Sequence, residues 1–578
     1  MSNSTIFNDR IYFDLRQTLH ILVVTDGAIN LWEAPAEPQG SNEGFTLREM
    51  ARALWDAPSN LYPYTNFVVD HAVHGTGTPS NRIRSEVDPE TGTTRKWTQY
   101  DPFQFDDPGF KLSNYHQVWF FGYWPGNPNE NDQYATPSNR VPLSTAEQKI
   151  LAAWMNAGGG VFATGDHGLL GNHLCGNISR VGQMRRWSDL GISNDVPSVS
   201  GFDRIDTIVP VRTVNGQPEG EFDDQSDDVP KPLHLKRFEL WDGLLRVNQS
   251  SSRLKQSIDR WAPHPILCSP LGPIDILPDH MHEGLVQEDA DVQLDATDAL
   301  DKKEFPGGAN RPRPEVVAWA TVRGGNVVYD DLGVPSVMHR IVPTVSVYDG
   351  ERAKVGRVVV DSTFHNWLDI NVRGTGSSGP RTGLLAKNLE LVHHYVRNIA
   401  QWLATASQRD WMRNGMFLHV IANTGGWSEY HNIPMLIGEQ ATNVLGQVAS
   451  VCTMNGLIFE SWWFDERLVD VRKASMAQLA LPAKEFVLHH VLGAMAAAVF
   501  DLIPKLRHRK PEDPLPEHDT PREFELIAAH LDAARRAGVR AVTAEWRRSL
   551  TLTARFLEAI DESVGGDDGP SRPNKEAI

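Results

Sequence analysis

Between Gly158 and Gly168 the chain reads Gly-Gly-Gly-Val-Phe-Ala-Thr-Gly-Asp-His-Gly, which puts two ionisable residues, Asp166 and His167, where an apolar run breaks into glycine. Val161 to Thr164 read as a short buried strand, and Gly165 and Gly168 permit a turn too sharp for ordinary residues. A strand, a tight glycine turn and a following helix have the shape of a nucleophile elbow, with Asp166 in the nucleophile's place. Aspartate is a weak acyl nucleophile in water, but it serves well as a metal ligand or a general base.

Two further groups could act with this pair. Pro278-Asp-His-Met-His-Glu283 holds four candidate ligands, Asp279, His280, His282 and Glu283. In an extended segment His280 and His282 project to the same side, which suits nitrogen ligation of zinc, manganese or iron. Clusters of this kind also occur as hydrogen-bonded loop ends, and no HExxH helix spacing is present. Phe364-His365-Asn366-Trp367 follows an apolar run ending at Asp361. His365 there could act as a general acid or base oriented by Asp361, or it could pack against Trp367. His264 lies in a His-Pro-Ile-Leu-Cys run, and Cys175 lies too far past Asp166 to occupy the turn. Cys175 reads as a buried, inert thiol. The Gly-Asp-His-Gly-Leu-Leu-Gly stretch fits neither a Walker A nor a GxGxxG loop.

These residues need elements to hold them. Leu19–Thr25, Asn66–Val69, Gln117–Gly122, Val161–Thr164 and Gly356–Val360 read as short buried strands. Phe45–Trp55 carries helical spacing, and Ser144 with Glu147 forms a capping box ahead of a helix that reaches Met155. A helix near Leu384–Ala404 closes the unit. Alternation of such strands and helices predicts a parallel sheet covered on both faces. The strands then end in Asp26, Asp70-His71, Asp166-His167 and Asp361, along the edge where open α/β sheets bind ligands. Aspartates at this edge also cap helices. The stretch after Asp70-His71, to about Asp107, reads as a polar loop rich in Gly, Thr and Pro. An insertion over about residues 188–350 holds acidic loops and at least one hairpin, assigned to Val316–Val322 and Val327–Tyr329 around Arg323-Gly-Gly-Asn326.

Beyond Arg409 the chain reads as mainly helical through residue 564, with a disordered tail from Gly565. Ala483–Leu506 is apolar, but its histidines and length suit a buried helix. Thr520-Pro-Arg-Glu523 marks a helix start, with Thr520 as cap. The apolar residues of Met412–Ala449 and Ala483–Leu506, with Trp462, Trp463 and Phe464, predict packing on the α/β unit or a homodimer interface.

Composition bounds the partners. At 578 residues the chain exceeds one core, and its formal charge of −18 opposes non-specific binding of nucleic acid. The basic run Lys505–Lys510 is short and leads into acidic, proline-rich sequence. No apolar run reaches the roughly 18 residues of a membrane span. Met1–Arg10 is polar and lacks a secretory apolar core, so a cytoplasmic location is the default expectation. Three separated cysteines make no CxxC pair, which argues against a disulfide framework or a thiolate zinc site.

Leu19–Gly27, Gln117–Gly122, Gly158–Gly168 and Gly356–His365 together resemble the class I glutamine amidotransferase-like superfamily, in its trehalose-utilisation-type (ThuA-like) branch. The resemblance covers residues 15 to 405 and implies a flavodoxin-like sheet of about five parallel strands. In that superfamily a cysteine occupies the elbow and a His-x-Glu follows a late strand. This chain has Asp166 at the elbow, and His365 is followed by Asn366 and Trp367. Hydrolysis of glutamine through a thioester is therefore not expected. The expected chemistry is that of a hydrolase-like enzyme acting on a small molecule. Asp166, His167, Asp361 and His365 would be its catalytic residues, and Asp166, His167, His280 and His282 would hold a divalent metal. The other reading is a non-catalytic ligand-binding or scaffolding protein on the same fold.

Overall fold

The computed structural model describes residues 17–32, 46–57, 65–124, 138–165, 171–187, 212–214, 217–219, 231–236, 238–239, 261–278, 286–308, 311–322, 340–362, 364–373, 375–376, 379–380, 386–413, 437–438, 441, 489–495, 497 and 520–565. Its centre is one sheet of 11 strands. In chain order these are β1 (Gln17–Thr25), β2 (Thr65–His74), β3 (Asn81–Val87), β4 (Thr94–Phe103), β5 (Gln117–Gly122) and β6 (Gly160–Gly165). They continue with β7 (Lys231–Leu235), β8 (Ile276–Leu277), β9 (Glu315–Val322), β10 (Arg340–Tyr348) and β11 (Val358–Asp361). The spatial order is β8-β7-β9-β10-β11-β6-β5-β1-β2-β4-β3. From β11 through β6, β5, β1 and β2 to β4 every neighbouring pair is parallel. Both flanks are antiparallel.

The strand residues sort onto two faces with period two, as a pleated ribbon requires. Leu19, Ile21, Val23, Trp119, Phe121, Phe162 and Val359 join one buried cluster. Leu22, Val24, Val118, Phe120, Val161, Ala163, Val358 and Val360 join the other. The first face is covered by helices α1 (Arg48–Trp55) and α6 (Ala386–Trp402). The second is covered by α2 (Thr145–Asn156), the short helices α3 (Asn172–Cys175) and α4 (Val181–Met184), and the segment carrying Val286, Val292 and Leu294. Two buried faces explain why these strands read as unbroken apolar runs. The capping box on α2 is formed: the Ser144 side chain accepts from the Glu147 amide and the Glu147 side chain from the Ser144 amide.

Two readings of the sheet are corrected. Strand β2 runs to His74, so Asp70 and His71 lie within it; Asp70 accepts from the Thr98 amide at 2.6 Å and the Tyr115 hydroxyl at 2.8 Å. The stretch read as a polar loop is the β3–β4 hairpin, missed because only one of its faces is partly covered and it shows no apolar alternation. Strand β9 pairs with β10 along one edge and, over Ala318–Ala320, with β7 along the other. Residues 323–339, with the expected partner run 327–329, lie outside the described residues.

In the C-terminal part, α5 (Asp369–Arg373) precedes α6, and α7 (Thr520–Gly565) is one helix of 46 residues. Thr520 opens α7 from within rather than standing ahead of it as a cap. Met412, Ile437, Ala441, Val491, Leu492, Met495, Leu531, Ala534 and Val542 belong to the same buried cluster as α1 and α6. The proposed tail, 566–578, lies outside the described residues. No described helix is long and apolar enough to cross a membrane.

Candidate functional site

From β1 the sheet grows in both directions, with β2 on one side and β5 on the other. The connections after β1 and β5 therefore part at their carboxyl ends, the switch point at which open α/β sheets bind ligands. Asp26 stands there, one residue past β1. Its side chain is buried, and Oδ2 accepts from two successive amides, Tyr123 at 2.6 Å and Trp124 at 2.8 Å. The Trp124 indole returns a bond to the Asp26 carbonyl at 3.2 Å. Oδ1 is buried with no hydrogen-bond partner. Burial drives the Asp26 pKa above the ordinary aspartate value, against the pull of the Trp124, Tyr123 and Ala28 amides and the charge of Arg140.

Arg140 lies over this switch point. It donates Nη1 to the His74 carbonyl at 3.0 Å, and its guanidinium lies against Gly27, where a Cβ would overlap it. Gly27 also has φ of +87°, so both backbone and space exclude a larger residue. His173, on α3, hydrogen-bonds the Arg140 backbone, and its Nε2 is buried without a partner. Burial depresses its pKa and keeps the imidazole neutral. Behind these groups, the His74 ring meets Glu147 at 3.0 Å and the His71 ring meets the Thr25 hydroxyl at 3.0 Å. Burial holds the His71 pKa down at about 3, so that ring is a neutral structural partner.

Asp166 and His167 lie outside the described residues, but their frame is visible. Strand β6 ends at Gly165, paired with Gly122 at the end of β5. The described chain resumes at Gly171 (φ +93°), whose backbone packs on Gly122 and Gly165 so closely that no Cβ fits. Arg185 bridges the ends of β6 and β11, donating Nη2 to the Gly165 carbonyl at 2.9 Å and Nε to the Ser362 carbonyl at 3.1 Å. Cys175 points its thiol at the Thr164 carbonyl, 3.7 Å away. Burial and then the nearby Asp26 charge push its pKa far up, so it stays an unreactive thiol.

The remaining sequence-derived candidates divide. Asp361 is fully buried at the end of β11, where Oδ1 accepts from the Ser362 amide at 2.6 Å and Oδ2 from the Tyr395 hydroxyl at 3.3 Å. His365 is half-buried on the short helical turn Phe364–Trp367, next to Trp367 in the aromatic core. His280 and His282 lie outside the described residues. His264 is buried on the ring of Trp402, at 5.2 Å between centroids, and accepts from the Ile266 amide. Burial, with Arg357 adding to it, holds its pKa down at about 3. Among the described residues no group of three or more His, Cys, Asp or Glu side chains is placed to hold a metal.

Arg140 and His173 were not foreseen. Arg140 sits in a Pro- and Asn-rich connection with no periodicity, so only the folded chain brings it over Gly27. Comparison with protein-family models, curated proteins and solved structures finds no match for this chain.

Proposed function

We propose that this chain is a hydrolase-like enzyme that acts on a small-molecule substrate at the switch point between the carboxyl ends of β1 and β5. The observation that carries this reading is the Asp26 carboxyl: desolvated, held through Oδ2 by two amides, and with Oδ1 buried and lacking a hydrogen-bond partner among the described residues, at the point where the sheet's connections part. A buried polar atom without a partner calls for a reason, and a ligand group is the natural one at such a site. A carboxyl whose pKa is raised by burial can hold and hand over a proton nearer neutral pH than an ordinary aspartate. Arg140 supplies a fixed positive charge beside it, and His173, a neutral imidazole, bonds the Arg140 backbone.

The strand order β2-β1-β5-β6-β11, with the β3–β4 hairpin set aside, follows the flavodoxin-like 2-1-3-4-5 pattern and supports the resemblance to the class I glutamine amidotransferase-like superfamily. In the metal-assisted form of the reading, Asp166 and His167 join His280 and His282 around a divalent ion, which would make hydroxide available near neutral pH. Asp361 and His365 then serve as orienting group and proton carrier. The inert Cys175 agrees with the absence of thioester chemistry.

The test combines a panel of chromogenic esters, amides, phosphate esters and glycosides with metal analysis of the purified protein. Turnover of one class should fall by about 100-fold or more in Asp26→Asn, with the circular dichroism unchanged. Stoichiometric metal that disappears in His282→Ala or Asp166→Ala supports the metal-assisted form. Turnover that is unaffected by Asp26→Asn overturns the assignment of this switch point. A metal-free protein inert towards every class favours a ligand-binding or scaffolding role.

A further inference from the structure

We propose that the outer edge of β3 is a self-complementary interface through which two copies of this chain pair edge to edge, about a two-fold axis at Ser85, into one continuous sheet. Strand β3 ends the 11-stranded sheet, and among the described residues no strand pairs with its far side. It is also the barest strand of the sheet. Ile83 is 77% exposed and Val87 is 62% exposed. Exposed edges of this kind are templates for pairing with another chain.

The phase of its hydrogen bonds selects which groups face outward. The Ser80 carbonyl accepts from Asp101, and the Asp88 amide donates to Thr93, each across the ladder that β3 forms with β4. Bonding to β4 therefore falls on the even-numbered residues, because antiparallel ladders alternate. Asn81, Ile83, Ser85 and Val87 turn their N–H and C=O groups away from the molecule. A second strand can bond only to these, so odd-numbered residues must meet odd-numbered residues.

Charge then selects the register. An axis at Arg84 sets that residue against the partner's Arg84, and an axis at Glu86 sets it against the partner's Glu86. An axis at Ser85 sets Arg84 against the partner's Glu86. On the opposite face the same axis sets Ile83 against the partner's Val87. Every pair is formed twice, as an isologous interface requires. The charged pairs fall at the non-hydrogen-bonded positions, where side chains approach most closely. Within one copy Arg84 already meets Glu86 at 2.9 Å, so the dimer adds a partner's carboxylate to a guanidinium held in place. One register thus satisfies backbone, apolar face and charge together.

The experiment measures the solution mass of the full-length chain, 64.5 kDa per copy, by sedimentation or light scattering across a concentration series. The wild type should approach twice that mass. Arg84→Glu should weaken the dimer by roughly tenfold, since it sets like charges directly opposite each other. The double reversal Arg84→Glu with Glu86→Arg should restore it. Ser85→Pro removes an outward N–H without touching the ladder to β4, and should give monomers with an unchanged circular dichroism spectrum. A wild type that stays monomeric throughout overturns the proposal. So does a dimer indifferent to both Arg84→Glu and Ser85→Pro, which would put the contact elsewhere, such as the helical C-terminal part.

Discussion

At the scale of single residues, Asp26 joins binding potential to a cost in stability. Its folded pKa lies above the unfolded value of 3.8, so the native state holds the proton more tightly than the unfolded chain does. That contribution is complete below the unfolded value and is lost as pH rises through the folded one. Asp26→Asn keeps an oxygen for the Tyr123 and Trp124 amides and removes the charge. It should therefore unfold at a higher temperature than wild type near pH 8, by about 1 kcal/mol, and match it near pH 4. Thermal unfolding across that range decides; a variant less stable at pH 8 would show the ionised form to be well accommodated. Gly27→Ala should cost about 1–2 kcal/mol, because the side chain meets the Arg140 guanidinium at a backbone angle that favours glycine.

At the scale of elements, two helix starts show two ways of being capped. Helix α2 caps itself through Ser144 and Glu147, and Glu147 also accepts from the Phe105 amide at 2.9 Å and meets His74 at 3.0 Å. Ser144→Ala should cost about 1 kcal/mol, and Glu147→Ala about 2–3 kcal/mol, since it also strands a buried ring and amide. Urea denaturation of both variants checks the ranking. Helix α1 has Leu47 at its N-cap and no cap of its own. Asp369, on α5, reaches across to accept from the Glu49 amide and the Thr46 hydroxyl, each at 2.8 Å. Asp369→Ala should cost about 1–2 kcal/mol. Glu49 meets His393 at 2.7 Å and pairs with Arg373. Despite its burial, these partners hold its pKa down at about 2. Its contribution is present above the unfolded value of 4.5 and fades as pH falls towards 2. Burial raises Asp369 to about 6, so its contribution runs the other way and fades as pH rises from 3.8 towards 6. Glu49→Gln should therefore remove part of the acid-induced loss of stability below pH 4.5, read as a smaller fall in unfolding temperature between neutral pH and pH 3.

At the scale of the whole molecule, the buried cluster on the α1–α6 face runs without a break into Met412, Ile437, Val491, Leu492 and Leu531. Helices come close there as well: a Cβ on Gly538 would press on Val491. The described residues after 409 thus share a core with the α/β unit. Truncation after Ala406 should bare an apolar face and give a protein that aggregates or unfolds at a clearly lower temperature. A soluble remnant with cooperative unfolding at the wild-type temperature would make the shared core dispensable. The far half of α7 carries Leu552, Phe556 and Leu557 in the open, and among the described residues nothing covers them.

The amino-acid sequence by itself determined the elements whose signals are local. The runs at Leu19–Thr25, Gln117–Gly122 and Val161–Thr164 became strands because both faces of each are buried, and a continuous apolar run needs no partner to be recognised. Ser144 and Glu147 lie within one helical turn, so their box was legible too. It also placed Asp26 and Asp361 at strand ends on one edge of the sheet. Tertiary structure alone decided the rest. Only pairing across the sheet shows that β9 meets β10, that Asn81–Val87 is a strand, and that β2 runs past Asp70. Only folding brings Arg140 to Asp26 and His173 to the Arg140 backbone, or Asp369 to the start of α1, across stretches of chain that carry no periodic signal. The physical reason is range: a hydrophobic period or a cap is written in adjacent residues, whereas a site is made where chain segments distant in sequence are forced together by a shared core.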